Sequence, residues 1–265
     1  MKNTLKLSFL AVLFIAFVGC TKDNSDENKP NPEETKPQTE PEFTFDSTTH
    51  PLNVLQLNIL NGFIGKPKME LINQLKTDKV SFEKNEDETE DDDEDITELT
   101  FIAEAKDAPF KRYKVKANFQ NVADLDKRPY ELYDGVASFE IVPVDEAGNK
   151  VTSTEFKKVF DYFHVRFNAL QPSKKAYKYI RKRNDLPPYF VERDDYADFI
   201  QSMDNPNIEA DGQIEWTNNP TPWAENSSKA KNTPTVVVKY DYDDKTYNVE
   251  IAFNYPNDFY KNIKK

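Results

Sequence analysis

The sequence predicts an α+β protein: a mainly antiparallel β-sheet or β-sandwich with several short helices, following a disordered tether. Three observations predict it. From residue 96 onward, several segments alternate apolar and polar residues, which is the period of a half-buried strand. Other segments space their apolar residues as a helix does. Residues 21–42, TKDNSDENKPNPEETKPQTEPE, hold four prolines, seven acids and no apolar side chain. Such a stretch cannot bury enough surface to offset its ordering entropy.

The elements follow in order. Leu52, Leu55, Ile59, Leu60 and Phe63 sit at helical spacing, with Thr49 as a cap and Gly62 or Gly65 as the stop. Residues 66–78, KPKMELINQLKTD, predict a second helix with Met69, Ile72 and Leu75 on one face. Residues 86–95, EDETEDDDED, are nine acids in ten. They lack the glycine and spaced ligands of a calcium loop. They read as a solvated, self-repelling loop, the alternative being weak divalent-cation binding. Strands are predicted at 96–105, 112–120, 135–144 and 161–170, with a turn at 145–150. Residues 233–253 read as a hairpin closing near Asp243–Asp244, at the C-terminal edge of the sheet. Two helices are predicted between the strands, a basic one over 173–183 and an acidic one over 193–203. Exposed ion pairs between them would contribute about 0–1 kcal/mol each. Residues 204–234 are rich in Asn and Pro and read as a long loop, a length that often carries function. The globular part is expected at 43–265, with a possible subdomain split near residue 172.

Composition narrows the function. The formal net charge is −12. An acidic surface repels nucleic-acid phosphates and anionic lipid headgroups, so neither is an expected partner. Six glycines in the whole chain leave no glycine-rich phosphate loop. Cys20 is the only cysteine, so no internal disulfide or thiolate metal site can form.

The leader is more informative. Lys2 and Lys6 precede an apolar run from Leu7 to Val18, broken only by Ser8. That run is the length of a signal-peptide core and shorter than the roughly 20 residues of a bilayer crossing. It ends in FVGC at 17–20. This resembles the lipobox of bacterial lipoproteins, with Phe17 where that family usually has Leu. The resemblance covers the first 20 residues. It implies a signal peptide at 1–19 that is cleaved before Cys20, and a lipid-modified Cys20 that becomes the membrane anchor. Two or more acyl chains hold a protein on a bilayer where one binds only marginally. Loss of 1–19 takes two lysines and no acid from the formal −12, giving −14. Asp23, Asp26 and Glu27, soon after the cysteine, resemble the surface-export signals of Bacteroidota lipoproteins. That implies an outer-membrane, surface-exposed location.

Candidate chemistry is sparse. His50 and His164 are the only histidines. A Ser-His-Asp hydrolase would need one of them, and the chain has neither G-x-S-x-G nor H-E-x-x-H. A haem clamp would need both. Acid pairs are so numerous that a carboxylate spacing has no specificity. No cofactor, metal or catalytic residue is therefore expected. Residues 214–228, IEWTNNPTPWAENSS, hold the two tryptophans, Trp216 and Trp223, with Asn218, Asn219 and Glu225 beside them. Flat aromatic faces next to amide and carboxylate groups suit a sugar ring or a protein hot spot. Equally, indoles pin loops to cores. Tyr179, Tyr189 and Phe190 add either to such a surface or to the core. Lys174, Lys175, Lys178, Arg181, Lys182 and Arg183 form a basic patch that could dock an acidic partner or face solvent. The expected function is a lipid-anchored, non-catalytic binding module for a glycan or an envelope or host protein. The alternatives are an accessory lipoprotein of an outer-membrane complex and, less favoured, a hydrolase.

Overall fold

The computed structural model describes residues 60, 62–84, 96–105, 109–125, 127–170, 172, 174–183, 186–217, 234–255 and 259–264. All belong to one compact unit, Glu40–Lys265. Helix α1 spans Lys68–Thr77. It is followed by strands β1 (Phe82–Lys84), β2 (Glu98–Glu104), β3 (Arg112–Ala123) and β4 (Leu132–Val144). Helix α2 (Phe156–Asn168) leads to β5 (Lys174–Arg183) and β6 (Leu186–Arg193). Helix α3 (Tyr196–Met203) precedes β7 (Ala210–Thr217), β8 (Thr235–Asp241) and β9 (Thr246–Ala252).

The nine strands form one sheet in the order β1-β2-β3-β4-β9-β8-β7-β5-β6. Every pairing between them is antiparallel. The class is therefore α+β, and the architecture is a single sheet and not a sandwich. The register shows why. Phe101, Val115, Ile141, Val249, Val238, Ile214 and Tyr177 stand opposite one another in an unbroken row across seven strands, and all are buried. The next row on the other face reads Thr100, Lys116, Glu140, Glu250, Val237, Glu215 and Ala176. Glu140 and Glu250 oppose each other directly, an unfavourable pairing. Lys116, 2.6 Å from Glu98, and Lys239, 3.1 Å from Glu250, supply the balancing charge. A face this ionic cannot pack a second sheet, so it faces water.

The helices cover the apolar face. Leu71, Ile72 and Leu75 of α1 join the same buried cluster as Val159, Phe160, Phe163 and Phe167 of α2 and Phe199, Ile200 and Met203 of α3. Met69, expected on the inner side of α1, is exposed, and Leu71 takes its place. Asp195 caps α3, its Oδ1 accepting from the N–H of Ala197 at 2.7 Å and of Asp198 at 3.3 Å.

Four other expectations change. Residues 161–170 belong mostly to α2 and not to a strand. The period becomes visible when Phe156, Val159 and Phe160 are read together with Phe163 and Phe167, which is a helical stripe. Residues 173–183 form β5 and not a basic helix. Lys, Arg and Ala favour helices, but Tyr177 and Tyr179 are buried on the apolar face of the sheet, and tertiary packing overrides propensity. The region 204–234 contains β7. The predicted 233–253 hairpin is present as β8–β9, with Asp241 Oδ1 accepting from the N–H of Asp243 and Asp244 at 2.9 and 3.0 Å. It lies in the middle of the sheet and not at an edge. The 145–150 turn is held by Asp145, whose Oδ1 accepts from the N–H of Ala147 and Asn149 at 2.9 and 2.8 Å.

The approach to α1 is tied to a bulge in β4. The β3–β4 register shifts between Asn118 and Phe119. Beside it, the N–H of Val136 donates to Lys66 O, and the N–H of Gly65 donates to Val136 O, both at 2.9 Å. A side chain at Gly135 would place its Cβ 2.7 Å from the Lys66 carbonyl oxygen and against Val122. A backbone atom cannot yield as a side-chain tip can. Gly135→Ala is expected to lower stability by about 1–3 kcal/mol, read as a shifted urea midpoint with an unchanged m-value.

Candidate functional site

The most unusual surface among the described residues is built by the β5–β6 hairpin. Residues 174–193 carry seven Lys and Arg against two acids, in a chain of net charge −12. Because the basic run is a strand, its side chains divide between two faces. Lys174 and Lys178 share the polar face with Ala176 and Ile180. Lys175 and Arg181 alternate with the buried Tyr177 and Tyr179. Lys178 Nζ lies 3.5 Å from Glu215 on the neighbouring strand. Lys174 and Lys175 are exposed.

β6 is the last strand of the sheet, so its outer backbone edge pairs with no other strand among the described residues. It also carries the most exposed aromatic pair described. Tyr189 is 61 % and Phe190 70 % exposed. Phe190 stands opposite half-buried Ile180, and Tyr189 opposite Arg181, so the two rings lie on opposite faces of one edge. Arg193 is used internally. Its Nη2 donates to Tyr179 Oη at 3.1 Å, with the guanidinium 5.5 Å from the ring centre. Beside the basic run and the aromatic pair, the sequence held a further signal for this surface. Pro187 and Pro188 cannot donate to a ladder, and proline in a strand marks an edge.

Behind the edge lies a polar network within the aromatic core. The His164 ring stacks on Tyr196, centroids 3.8 Å apart and planes 7° apart. Tyr177 Oη lies 3.1 Å from His164 Nε2. Asn168 Nδ2 approaches the two ring nitrogens at 3.0 and 3.2 Å, while Asn168 Oδ1 accepts the Trp216 indole N–H at 2.9 Å. Tyr196 Oη donates to Asp161 Oδ1 at 2.7 Å. The network joins α2, α3, β5 and β7, and so braces the strand that carries the edge.

Burial first, and nearby Lys175 second, push the His164 pKa down to about 4, against the opposing pull of Asp161 and Asp195. The ring is therefore neutral at pH 7 and keeps a lone pair for the network. The unfolded chain binds that proton near pH 6.5, so stability is lost as pH falls from about 6.5 towards 4. Partial solvent access reduces the effect to about 1–2 kcal/mol. Denaturant unfolding between pH 7 and 5, where carboxylates contribute little, is expected to show this slope. His164→Gln is expected to flatten it.

Trp216, expected in a polar loop, lies in β7 and is 2 % exposed, packed against Phe167 at 5.1 Å between centroids. It presents no indole face to a ligand. A strand position opposite Val236 and Lys175 places it on the helix-covered side, where its volume is needed. Trp223, Asn218, Asn219, Glu225, Cys20, His50 and the acidic run 86–95 lie outside the described residues. Among the described residues, no three His, Cys, Asp or Glu form a group that could hold a metal ion, and no helix is long and apolar enough to cross a membrane.

A cavity of about 310 Å³ opens on the polar face at the β8–β9 turn. Its walls include Lys150, Asp211, Gln213, Lys239, Asp244 and Asn248. Asn248 Oδ1 is buried without a hydrogen-bond partner among the described residues.

No family model, no curated protein and no solved structure matches this chain.

Proposed function

We propose that this protein is a lipid-anchored lipoprotein of the bacterial envelope, surface-exposed on the outer membrane, that acts as a non-catalytic binding module. The observation that carries the reading is the leader. An apolar run ends in FVGC at 17–20, and a stretch without apolar side chains follows. Such a stretch holds a water-soluble body away from the bilayer by up to about 3.3 Å per residue. The ionic face and the exposed aromatic edge of the sheet are compatible with contact to a partner in water. The test is mass spectrometry of the native product together with membrane fractionation. Cys20 is expected to carry acyl chains as the first residue, and Cys20→Ser is expected to release the protein from the membrane fraction. A bare thiol, or a retained leader, overturns the reading.

A second reading, in which the ligand is a glycan, is favoured by the cavity on the polar face. Amide, carboxylate and ammonium groups converge there, from Gln213, Asp211 and Lys239. Glycan-array binding that weakens in Gln213→Ala and Asn248→Val would favour it, and unchanged binding in both would remove it.

A further inference from the structure

We propose that the outer edge of β6, unpaired among the described residues, captures an extended, acidic segment of a partner protein as a tenth strand of the sheet. This rests on the reading of the chain as a binding module and names the surface and the partner's chemistry. Three independent features converge on the β5–β6 hairpin: the outer backbone and the two aromatic rings of β6, and the charge of β5 beside it.

The first is the backbone. β6 closes the sheet order, and its inner side is occupied by β5 from Tyr177↔Arg193 to Arg183↔Leu186. Its outer N–H and C=O groups form a template for another strand. Pro187 and Pro188 have no N–H to offer, which confines the docking length to Tyr189–Arg193.

The second is the pair of aromatic side chains. Edge strands are usually blunted with charges or prolines. Prolines do blunt the start of β6, but Tyr189 and Phe190 then place two large exposed rings on opposite faces of the remaining segment. An added strand alternates its side chains to both faces. It would therefore cover one ring with each set.

The third is charge. The hairpin is basic on an acidic molecule, with Lys174 and Lys175 exposed and Arg181 opposite Tyr189. Acidic residues in the incoming strand would find complementary partners and be steered to this edge. Charge also decides against the other occupants. Two copies joined through β6 would bring two basic hairpins together. The tether 21–42 is acidic but has no apolar residue to cover Tyr189 or Phe190. An anionic polysaccharide would meet the lysines but make no use of the strand's amide groups.

The experiment uses the full chain in detergent and a synthetic peptide that alternates valine with aspartate. A second copy of the peptide is N-methylated at every other amide, and heparin serves as a polyanion without a peptide backbone. The first peptide is expected to bind saturably and to protect amides within Tyr189–Arg193 from hydrogen exchange. N-methylation, Phe190→Thr and raised salt are each expected to weaken binding by about tenfold or more. Threonine keeps the strand propensity, and a circular-dichroism melt confirms that the variant is folded. Four results overturn the proposal: no saturable binding; equal binding of the N-methylated peptide; heparin binding as tight as the peptide and unaffected by Phe190→Thr; or Phe190-dependent dimerisation in sedimentation. Any of these, with Cys20 acylated and the protein in the membrane fraction, removes the edge as the contact and leaves the anchored-module reading standing.

Discussion

Trp216→Ala is expected to cost about 3–5 kcal/mol, the largest loss of any single substitution predicted for this chain. Trp216 is among the largest fully buried side chains described, and it sits in β7 between β5 and β8. Its removal would open a cavity beside Phe167 that neighbouring strands cannot close without leaving the ladder. It would also take the indole donor from Asn168 Oδ1, which contributes about 1 kcal/mol more. For a domain of this size, the loss corresponds to a Tm drop of about 10 °C or more. Trp216→Phe separates the parts. It keeps much of the packing and leaves Asn168 without the indole, so its cost should be less than half that of the alanine. A melt of Trp216→Ala within a degree or two of the parent would contradict this placement of the side chain. So would a Phe variant as damaging as the Ala one.

Lys68→Ala is expected to be the next most damaging change, at about 2–4 kcal/mol. Lys68 is 4 % exposed at the start of α1, an uncommon environment for lysine. Its Nζ lies 2.5 Å from Asp134 and 3.1 Å from Ile96 O, which accepts from it, and 5.8 Å from the centre of the Phe119 ring. Truncation removes a buried aliphatic stem and takes a donor from the buried Ile96 carbonyl. Asp134 is half-exposed, so water re-solvates its carboxylate and limits the total. Lys68→Met keeps the stem and loses only the charge and donor. Its unfolding midpoint should fall between those of the alanine variant and the parent. Equal midpoints for Met and Ala would mean that the stem contributes nothing and the ammonium everything.

The edge proposal and these stability predictions are linked through β5. Trp216, Asn168, His164 and Tyr177 form one path from the core to the strand behind the exposed aromatics. Damage at Trp216 should therefore loosen the β5–β6 hairpin before it unfolds the far end of the sheet. Hydrogen exchange at Tyr189–Arg193 against exchange at β2 and β3 would resolve the two.

Much of the fold was legible because alternation is a local property. The strands at 96–105, 112–120 and 135–144, the turn built on Asp145 and the hairpin at Asp243–Asp244 each follow from side chains within a few positions of one another. So did α1. The errors came where the local pattern was cut in the wrong window or was double-valued. Read from Asp161 alone, DYFHVRFN alternates. Read from Phe156, it is a helical stripe. KKAYKYIRKR suits a basic helix by propensity and a strand by its tyrosines, and only the presence of β7 and β6 on either side selects the strand.

The candidate site was less legible than the fold. Exposure depends on neighbours that are distant in sequence. Trp216 among asparagines suited either a ligand-facing loop or the core, and it is buried because α2, some 48 residues earlier in the chain, supplies Phe167 and Asn168 over it. Phe190 suited a surface or the core equally in sequence, and it is exposed because strand order leaves β6 without a second neighbour among the described residues. By itself the sequence determined the α+β class, the alternation of the strands and the resemblance of the leader to a lipobox, since these are written in adjacent residues. The tertiary structure alone decided the strand order, the single layer of sheet and which aromatic rings meet water. Those depend on pairings between segments far apart in the chain, where hydrogen-bond register and shared burial choose among partners that local patterns leave equivalent.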